Sequence, residues 1–129
     1  MMLSKYFTGV QHIGIPANDL DQTIKFYKSL GFKVAGLFNN QGNRCAFMKY
    51  NTLMIETWEG DPCANKDGAI NHFAVNCTDA DKAFAEAKKD GYHLLDDHVE
   101  SIPAYWKHGI HFFKIQGPNH EAIEFCQIL

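Results

Sequence analysis

The sequence predicts an α+β fold in which one βαβββ module is used twice. The first observation is that the apolar stretch around His12 recurs around His72, at an offset of 72 − 12 = 60 residues. The second is that the match continues at the same offset through further pairs: Ile15 and Val75, Asp19 and Asp79, Asp21 and Asp81, Gly31 and Gly91. An internal repeat indicates a structural unit used more than once. We therefore predict a single domain, residues 1–129, with repeats at about 9–59 and 69–128, and a curved mixed sheet with the helices outside it.

The first module begins with a strand at residues 10–16, in which Ile13 and Ile15 share one face. Asn18 or Asp19 is expected to cap the following helix by accepting a backbone hydrogen bond. Apolar side chains then recur at helical spacing, and Gly31 is expected to end the helix. Three strands are predicted after it, at residues 32–38, 44–49 and 52–58, with a turn at 39–43.

The second module repeats this plan after a polar, turn-rich connection at residues 60–68. A strand at 69–77 precedes a helix that starts at Thr78 or Asp79 and ends at Gly91. We expect strands at 92–95, 109–116 and 121–127, with a longer irregular loop at 96–107. Residues 1–8 are expected to be a loose lead-in.

Composition excludes several functional classes. The net charge of −3 and pI near 6.1 offer no basic face for nucleic acid. No run of about 18 apolar residues is present, so we expect no membrane span. The first residues do not have the pattern of a signal peptide, and the four cysteines form no CxxC pair. These features predict a cytoplasmic protein with reduced thiols.

Each module carries one histidine and one glutamate opposite its apolar strand face. By strand alternation, Glu56 lies opposite Ile55, and Glu124 lies opposite Ile123. If the two modules are related by a pseudo-two-fold axis, these glutamates meet His12 and His72 inside one cavity. A single histidine or glutamate on a strand is usually a hydrogen-bonded or solvated residue. Its recurrence in both modules favours metal binding instead.

Two imidazoles and two carboxylates form a ligand set suited to one borderline divalent ion, such as Ni, Co, Zn, Mn or Fe. Such a set leaves coordination positions open, so a small-molecule substrate with two adjacent oxygens can bind. A glutamate beside the ion can also serve as a base, because the ion acidifies the neighbouring substrate proton. The predicted metal ligands are therefore His12, Glu56, His72 and Glu124.

The sequence resembles the vicinal oxygen chelate superfamily, the glyoxalase / bleomycin resistance / extradiol dioxygenase group. The resemblance runs from His12 to Gln127, and three stretches carry it: His-Ile-Gly-Ile with the following DLDQTIKFY and LGF, then HFAV at 72–75, and GPNHEAIEF at 117–125. Within the superfamily, the order His, Glu, His, Glu is similar to that of glyoxalase I (lactoylglutathione lyase).

This resemblance implies an isomerase that converts the hemithioacetal of methylglyoxal and glutathione to the lactoyl thioester. It implies that Glu124 is the main proton-transfer base and that Glu56 is its partner across the metal. The short loops are similar to those of the compact bacterial forms that use nickel or cobalt. A homodimer is also expected, and the site is formed either within one chain or across two.

Other members of the superfamily remain alternatives. Acyl-CoA epimerases have Gln at the position of Glu56. The two ligand sets therefore differ by one small substitution. Extradiol dioxygenases and fosfomycin-inactivating thiol transferases use three ligands, and Glu56 disfavours them. Bleomycin-resistance proteins bind a ligand between aromatic walls without a metal, and the four ligands disfavour this non-enzymatic class.

Four further residues are candidates for binding the substrate. Met54 and Trp58 share the strand face of Glu56, and Cys126 shares that of Glu124. Arg44 is the single arginine of the chain, and relatives that bind glutathione hold its carboxylates with arginines. The scarcity of arginine therefore predicts weak binding of glutathione. His108 and His111 lie near an aromatic loop, and their roles stay open.

Overall fold

Strand pairing and chain contacts divide the protein into two units, Met1–Cys63 and Ala64–Leu129. The computed structural model describes residues 3–6 and 8–129. The boundary lies in the turn-rich connection predicted at residues 60–68. Each unit contains one mixed sheet and one α-helix, which confirms the predicted α+β class, with two separate sheets rather than one continuous sheet.

The first unit has four strands and one helix. Their bounds are β1 Ile13–Pro16, α1 Leu20–Ser29, β2 Lys33–Asn40, β3 Asn43–Tyr50 and β4 Leu53–Trp58. The strand order in the sheet is β1–β4–β3–β2. β1 runs parallel to β4, and the other two pairs are antiparallel hairpins. The first and last strands of the unit are thus neighbours, which brings β1 beside the strand that carries Glu56.

The second unit has the same arrangement with one additional short strand. Its elements are β5 Phe73–Asn76, α2 Ala80–Lys89, β6 His93–Leu94, β7 Glu100–Ile102, β8 Ile110–Gln116 and β9 Ala122–Ile128. The order is β5–β9–β8–β6, and β7 also pairs with β8. β5 runs parallel to β9, so it lies beside the strand that carries Glu124.

Both helices begin with the same capping interaction. The carboxylate of Asp19 accepts a hydrogen bond from the backbone N–H of Gln22, and Asp79 accepts one from Lys82, each at 3.0 Å. Such caps satisfy backbone donors that have no partner within the helix. Of the alternatives at each helix start, the aspartates rather than Asn18 and Thr78 are the caps.

The core of each unit lies on one face of its sheet. In the first unit, Met48 on β3 and Ile55 on β4 are register partners and are fully buried, together with Tyr27 of α1. In the second unit, Ile115 and Ile123 are register partners with exposed fractions of 0% and 1%. Because strand residues alternate between faces, Glu56 and Glu124 project from the opposite face. We call that the glutamate face of each sheet.

Three details differ from the sequence prediction. β1 and β5 begin at Ile13 and Phe73, so His12 and His72 lie immediately before their strands rather than within them. The predicted irregular loop at 96–107 contains β7. In the predicted loose lead-in, Leu3–Tyr6 form a 3₁₀ turn, while Met1, Met2 and Phe7 lie outside the described residues. No helix in the described ranges is long and apolar enough to span a membrane.

Candidate metal centre

In the first unit, His12 and Glu56 form a close pair. Nε2 of His12 lies 3.5 Å from Oε1 of Glu56, and the two side chains are 38% and 28% exposed. The pairing of β1 with β4 brings them together, because Gly14 is the register partner of Glu56. A Cβ at Gly14 would lie 3.3 Å from the Trp58 ring and 3.7 Å from Oε1 of Glu56. The glycine therefore leaves room for both side chains.

In the second unit, His72 and Glu124 form an equivalent pair. Nε2 of His72 lies 3.6 Å from Oε1 of Glu124, and the side chains are 39% and 13% exposed. Here Ala74 is the register partner of Glu124, as Gly14 is of Glu56. The same two residue types thus meet at nearly the same distance, through the same parallel strand pairing. The structure brings the predicted ligands together as two matching His–Glu pairs.

The spacing within each pair fits two ligands of one ion. Imidazole nitrogen and carboxylate oxygen bind divalent metals at about 2.0–2.2 Å, so neighbouring ligands lie about 2.8–3.6 Å apart for octahedral to tetrahedral angles. Each unit supplies one nitrogen and one oxygen at this separation. Across residues 3–6 and 8–129, no group of three or more His, Cys, Asp or Glu side chains is arranged to hold a metal. Each pair therefore supplies two donor atoms, one imidazole nitrogen and one carboxylate oxygen.

The residue before each histidine contacts its ring. Nδ1 of His72 lies 2.8 Å from Oδ1 of Asn71, and Nδ1 of His12 is hydrogen-bonded to Oε1 of Gln11. The ring of Phe47 also packs edge-on against His12, with the centroids 5.8 Å apart. Both imidazoles thus have a partner at Nδ1, and the atom that faces the glutamate is Nε2.

A cavity of about 310 Å³ adjoins Glu56 in the first unit. Its wall includes Trp58, whose indole Nε1 donates a hydrogen bond to Asp61 at 2.7 Å. Cys45 also lines it, with Sγ 3.6 Å from Oε2 of Glu56. Burial, followed by the nearby charge of Glu56, raises the pKa of the Cys45 thiol. The thiol is therefore protonated at neutral pH and acts as a weak donor to the carboxylate.

Arg44 lines the same cavity, but its guanidinium is already paired. It donates to Asp21 of α1 at 3.0 and 3.3 Å and to Glu59 at 3.1 and 3.2 Å. These bonds lower the pKa of both carboxyl groups and raise that of Arg44. Sequence analysis placed Arg44 among the substrate-binding candidates. A substrate carboxylate would have to compete here with two carboxylates of the protein.

Met54 and Cys126 lie on the glutamate faces. Met54 is the register partner of Lys49, two residues along β4 from Glu56. Cys126 lies two residues from Glu124 on β9, and burial, then the Glu124 charge, raises the pKa of its thiol. His111 lies on β8 opposite Gln127, and His108 is exposed in the loop before that strand.

Comparison with known protein families identifies the superfamily of the chain. A family model described as the Glyoxalase/Bleomycin resistance protein/Dioxygenase superfamily matches residues 11–112. The chain belongs to this superfamily. The match includes three of the four paired residues, and the fourth, Glu124, lies beyond its end.

Relatives within the superfamily have varied descriptions. The uncharacterized protein YwbC of Bacillus subtilis (strain 168) is 25% identical over 127 residues, which cover 92% of this chain and 96% of that protein. FosX from Listeria monocytogenes, a fosfomycin resistance protein solved with Mn(II) and sulfate, has a TM-score of 0.72 at 16% identity, covering 95% and 94% of the two chains. A glyoxalase I mutant from Zea mays has a TM-score of 0.73 at 21% identity, covering 92% of this chain and 44% of that one. At these identities the two structures show the superfamily fold.

Several neighbours of the two pairs were not identified from the sequence. Gln11 and Asn71 occupy equivalent places in the repeat, so the 60-residue offset itself contained the signal. Phe47 and Cys45 are brought to Glu56 and His12 by the pairing of β3 with β4. Their position depends on strand register, which superfamily membership alone does not specify.

Proposed function

We propose that this protein is a metal-dependent isomerase of the glyoxalase I type. His12, Glu56, His72 and Glu124 are the proposed ligands of one divalent ion, two from each His–Glu pair. The observation that carries the proposal is the repetition of the pair, at 3.5 and 3.6 Å, through equivalent strand pairings. Membership of a superfamily that includes glyoxalase I supports it.

The donor atoms set the expected metal preference. Two neutral imidazole nitrogens and two carboxylate oxygens suit borderline ions, with Ni or Co favoured and Zn, Mn or Fe next. A bound ion would polarise two adjacent substrate oxygens and acidify the neighbouring C–H bond. The half-exposed imidazoles allow an ion to reach the ligands from solvent.

The proposed reaction needs a base that moves one proton between adjacent carbons. In the hemithioacetal of methylglyoxal, Glu124 takes the proton from the carbon bonded to sulfur. It then returns that proton to the neighbouring carbonyl carbon. The hydroxyl proton on the first carbon's oxygen moves to the oxygen of the second carbon, so the first carbon becomes the thioester carbonyl and the second carries the hydroxyl. The product is a lactoyl thioester with the same atoms as the substrate. Glu56 would hold the ion as a ligand.

The substrate is proposed to be a thiol adduct that carries few carboxylates. Trp58 lines the cavity beside Glu56, and Met54 and Cys126 lie on the glutamate faces. Arg44, the only arginine in the chain, is bound to Asp21 and Glu59. Because arginine is the side chain best suited to bidentate carboxylate recognition, we expect a high KM for the glutathione adduct.

Metal titration tests the ligand assignment. Calorimetry with Ni²⁺, Co²⁺, Zn²⁺ and Mn²⁺ should show tight binding at about one ion per four-ligand site. His12→Ala and His72→Ala should each weaken it, whereas His93→Ala, an exposed histidine on β6, should not. Absence of tight binding in the unaltered protein would overturn the proposal and favour a ligand-sequestering protein.

A complementation experiment determines whether the ligands come from one chain or from two. One variant carries His12→Ala and Glu56→Ala, and the other carries His72→Ala and Glu124→Ala. If a homodimer builds each site from two chains, mixing the variants by refolding restores one intact site per heterodimer. If both pairs of one chain hold the ion, the mixture stays inactive. Light scattering gives the accompanying oligomeric state.

Steady-state kinetics test the reaction itself. Hemithioacetals of methylglyoxal with glutathione, cysteine and 2-mercaptoethanol should each be converted by the Ni- or Co-loaded protein. The glutathione adduct should have the highest KM. Tight metal binding without conversion of any hemithioacetal would overturn the isomerase assignment and direct attention to acyl-CoA epimerisation. Arg44→Ala should leave the KM for the glutathione adduct high.

A further inference from the structure

Both histidines of the proposed centre are held by the side chain that precedes them. Oε1 of Gln11 contacts Nδ1 of His12, and Oδ1 of Asn71 lies 2.8 Å from Nδ1 of His72. Gln11 and Asn71 are themselves equivalent in the repeat, because 71 − 11 = 60. The contact is therefore duplicated together with the His–Glu pair.

The chemistry of these contacts specifies where the ring proton lies. An amide oxygen accepts hydrogen bonds and cannot donate them, so the hydrogen bond requires a proton on Nδ1. In a neutral imidazole the other nitrogen, Nε2, then carries the free lone pair. Nε2 is the atom that faces Glu56 in the first unit and Glu124 in the second, at 3.5 and 3.6 Å.

We infer that Gln11 and Asn71 are positioning residues, which hold His12 and His72 in the Nδ1–H tautomer and direct Nε2 toward the metal. Their role in metal binding rests on the proposed function, whereas the tautomer is a property of the metal-free protein. Partners at the second ring nitrogen orient ligating histidines and raise their basicity in metalloproteins generally. In this chain the partner is an amide from the adjacent residue.

The second unit extends this arrangement by one residue. Nδ2 of Asn71 donates a hydrogen bond to Oδ2 of Asp67. Because Asp67 accepts a hydrogen bond from the amide nitrogen of Asn71, the amide oxygen of Asn71 is directed toward His72. Asp67 lies in the turn-rich connection at residues 60–68, to which sequence analysis assigned no function beyond linking the repeats. Asp67 thus orients Asn71, and Asn71 orients His72.

The tautomers are measured first, in metal-free protein. Long-range ¹H–¹⁵N correlation spectra, recorded at about pH 8.5 where a model imidazole is neutral, distinguish Nδ1–H from Nε2–H rings. We expect Nδ1–H signals from His12 and His72. Gln11→Leu should remove only the His12 signal, and Asn71→Leu should remove only the His72 signal. Asp67→Ala should affect His72 and leave His12 unchanged. Mainly Nε2–H rings in the unaltered protein would overturn the inference.

Metal affinity is the second measurement, made by competition with a chromophoric chelator. Gln11→Leu and Asn71→Leu should each weaken binding about 10- to 100-fold, the range for the loss of such a partner. Gln11→Glu retains an acceptor oxygen and should keep most of the affinity that Gln11→Leu loses. Gln22→Leu, an exposed glutamine on α1, is the matched control and should have no effect.

The two measurements separate the inference from the proposed function. If the tautomers respond as expected but the unaltered protein binds no metal, the proposed function fails and the positioning role of the amides stands. If metal binds tightly but the leucine variants change neither tautomer nor affinity, the positioning role fails and the metal centre stands. Normal folding of each variant is verified from its urea unfolding midpoint.

Discussion

Lys114 lies directly opposite Glu124 on the paired strands β8 and β9, at the place that Phe47 occupies opposite Glu56 in the first unit. Its ammonium group lies 5.0 Å from the centroid of the Phe112 ring and 3.7 Å from Oδ2 of Asp96. The two His–Glu pairs therefore match in residue type but differ in the residue that lies across the strand from the glutamate. One glutamate faces an aromatic ring and the other faces a lysine.

Asp96 is expected to stabilise the second unit more than Lys114 does. Its carboxylate, 14% exposed, accepts a hydrogen bond from the backbone N–H of Lys114 at 2.7 Å as well as pairing with the ammonium. Asp96→Ala should cost about 1–3 kcal/mol, because it leaves that N–H without its partner. Lys114→Met removes only a partly exposed ion pair and should cost about 1 kcal/mol or less. Urea unfolding measures both free energies, and equal costs would contradict this ranking.

Glu124 and Glu56 are expected to differ in their contributions to turnover. Glu124→Gln keeps an oxygen for the metal but removes the proton acceptor, so kcat should fall about 10²- to 10⁴-fold while metal stays bound. Glu56→Gln should have the smaller effect, because its main role is that of a ligand. Steady-state kinetics on metal-loaded protein, with metal content measured in parallel, give the comparison. A fully active Glu124→Gln variant would exclude Glu124 as the base.

The Arg44 cluster should make stability depend on pH in the acidic range. Hydrogen bonds from Arg44 lower the pKa of Asp21 and of Glu59, so both bind protons less readily in the folded state than in the unfolded one. Their stabilising contribution is present above the usual carboxyl pKa of about 4 and is lost as pH falls through the lowered folded pKa values. Arg44→Met should therefore be less stable than the unaltered protein at pH 7, with the difference shrinking below about pH 4.

Urea unfolding midpoints across this pH range test the expectation. Lys25→Met is the control. It removes an exposed cation from α1, the helix that carries Asp21, and should show no such pH dependence. A stability difference for Arg44→Met that persists unchanged at the lowest pH would attribute the effect to packing of the arginine stem rather than to its charge.

Two fully buried threonines should respond in opposite ways to the same substitution. The hydroxyl of Thr23 donates to the backbone oxygen of Asp19 at 3.0 Å, whereas that of Thr57 has no partner within the described ranges. Thr23→Val should cost about 1 kcal/mol, because it removes a hydrogen bond. Thr57→Val should be neutral or stabilising by up to about 1 kcal/mol, because it removes an unpaired buried polar group. Thermal unfolding gives the sign of the stability change in each variant. A destabilised Thr57→Val would contradict the prediction.

The sequence predicted much of the fold and the residues of each His–Glu pair. The 60-residue repeat located two equivalent modules, and strand alternation placed Glu56 and Glu124 opposite the buried residues. Both inferences rest on local chain geometry, since successive strand residues point to opposite faces whatever the sheet around them. The helix starts were also predictable, because Asp19 and Asp79 precede apolar residues at helical spacing.

Tertiary structure decided which residues surround the pairs. The pairing of β3 with β4 brought Phe47 and Cys45 to the first His–Glu pair, and that of β8 with β9 brought Lys114 to the second. Arg44 shows the limit most clearly: as a lone arginine it was a candidate for substrate binding, yet contacts with Asp21, 23 residues away, and Glu59, 15 residues away, engage its guanidinium. Periodicity determines which face a side chain is on. The partners of that side chain depend on strand register and on groups distant in sequence, which only the folded chain brings together.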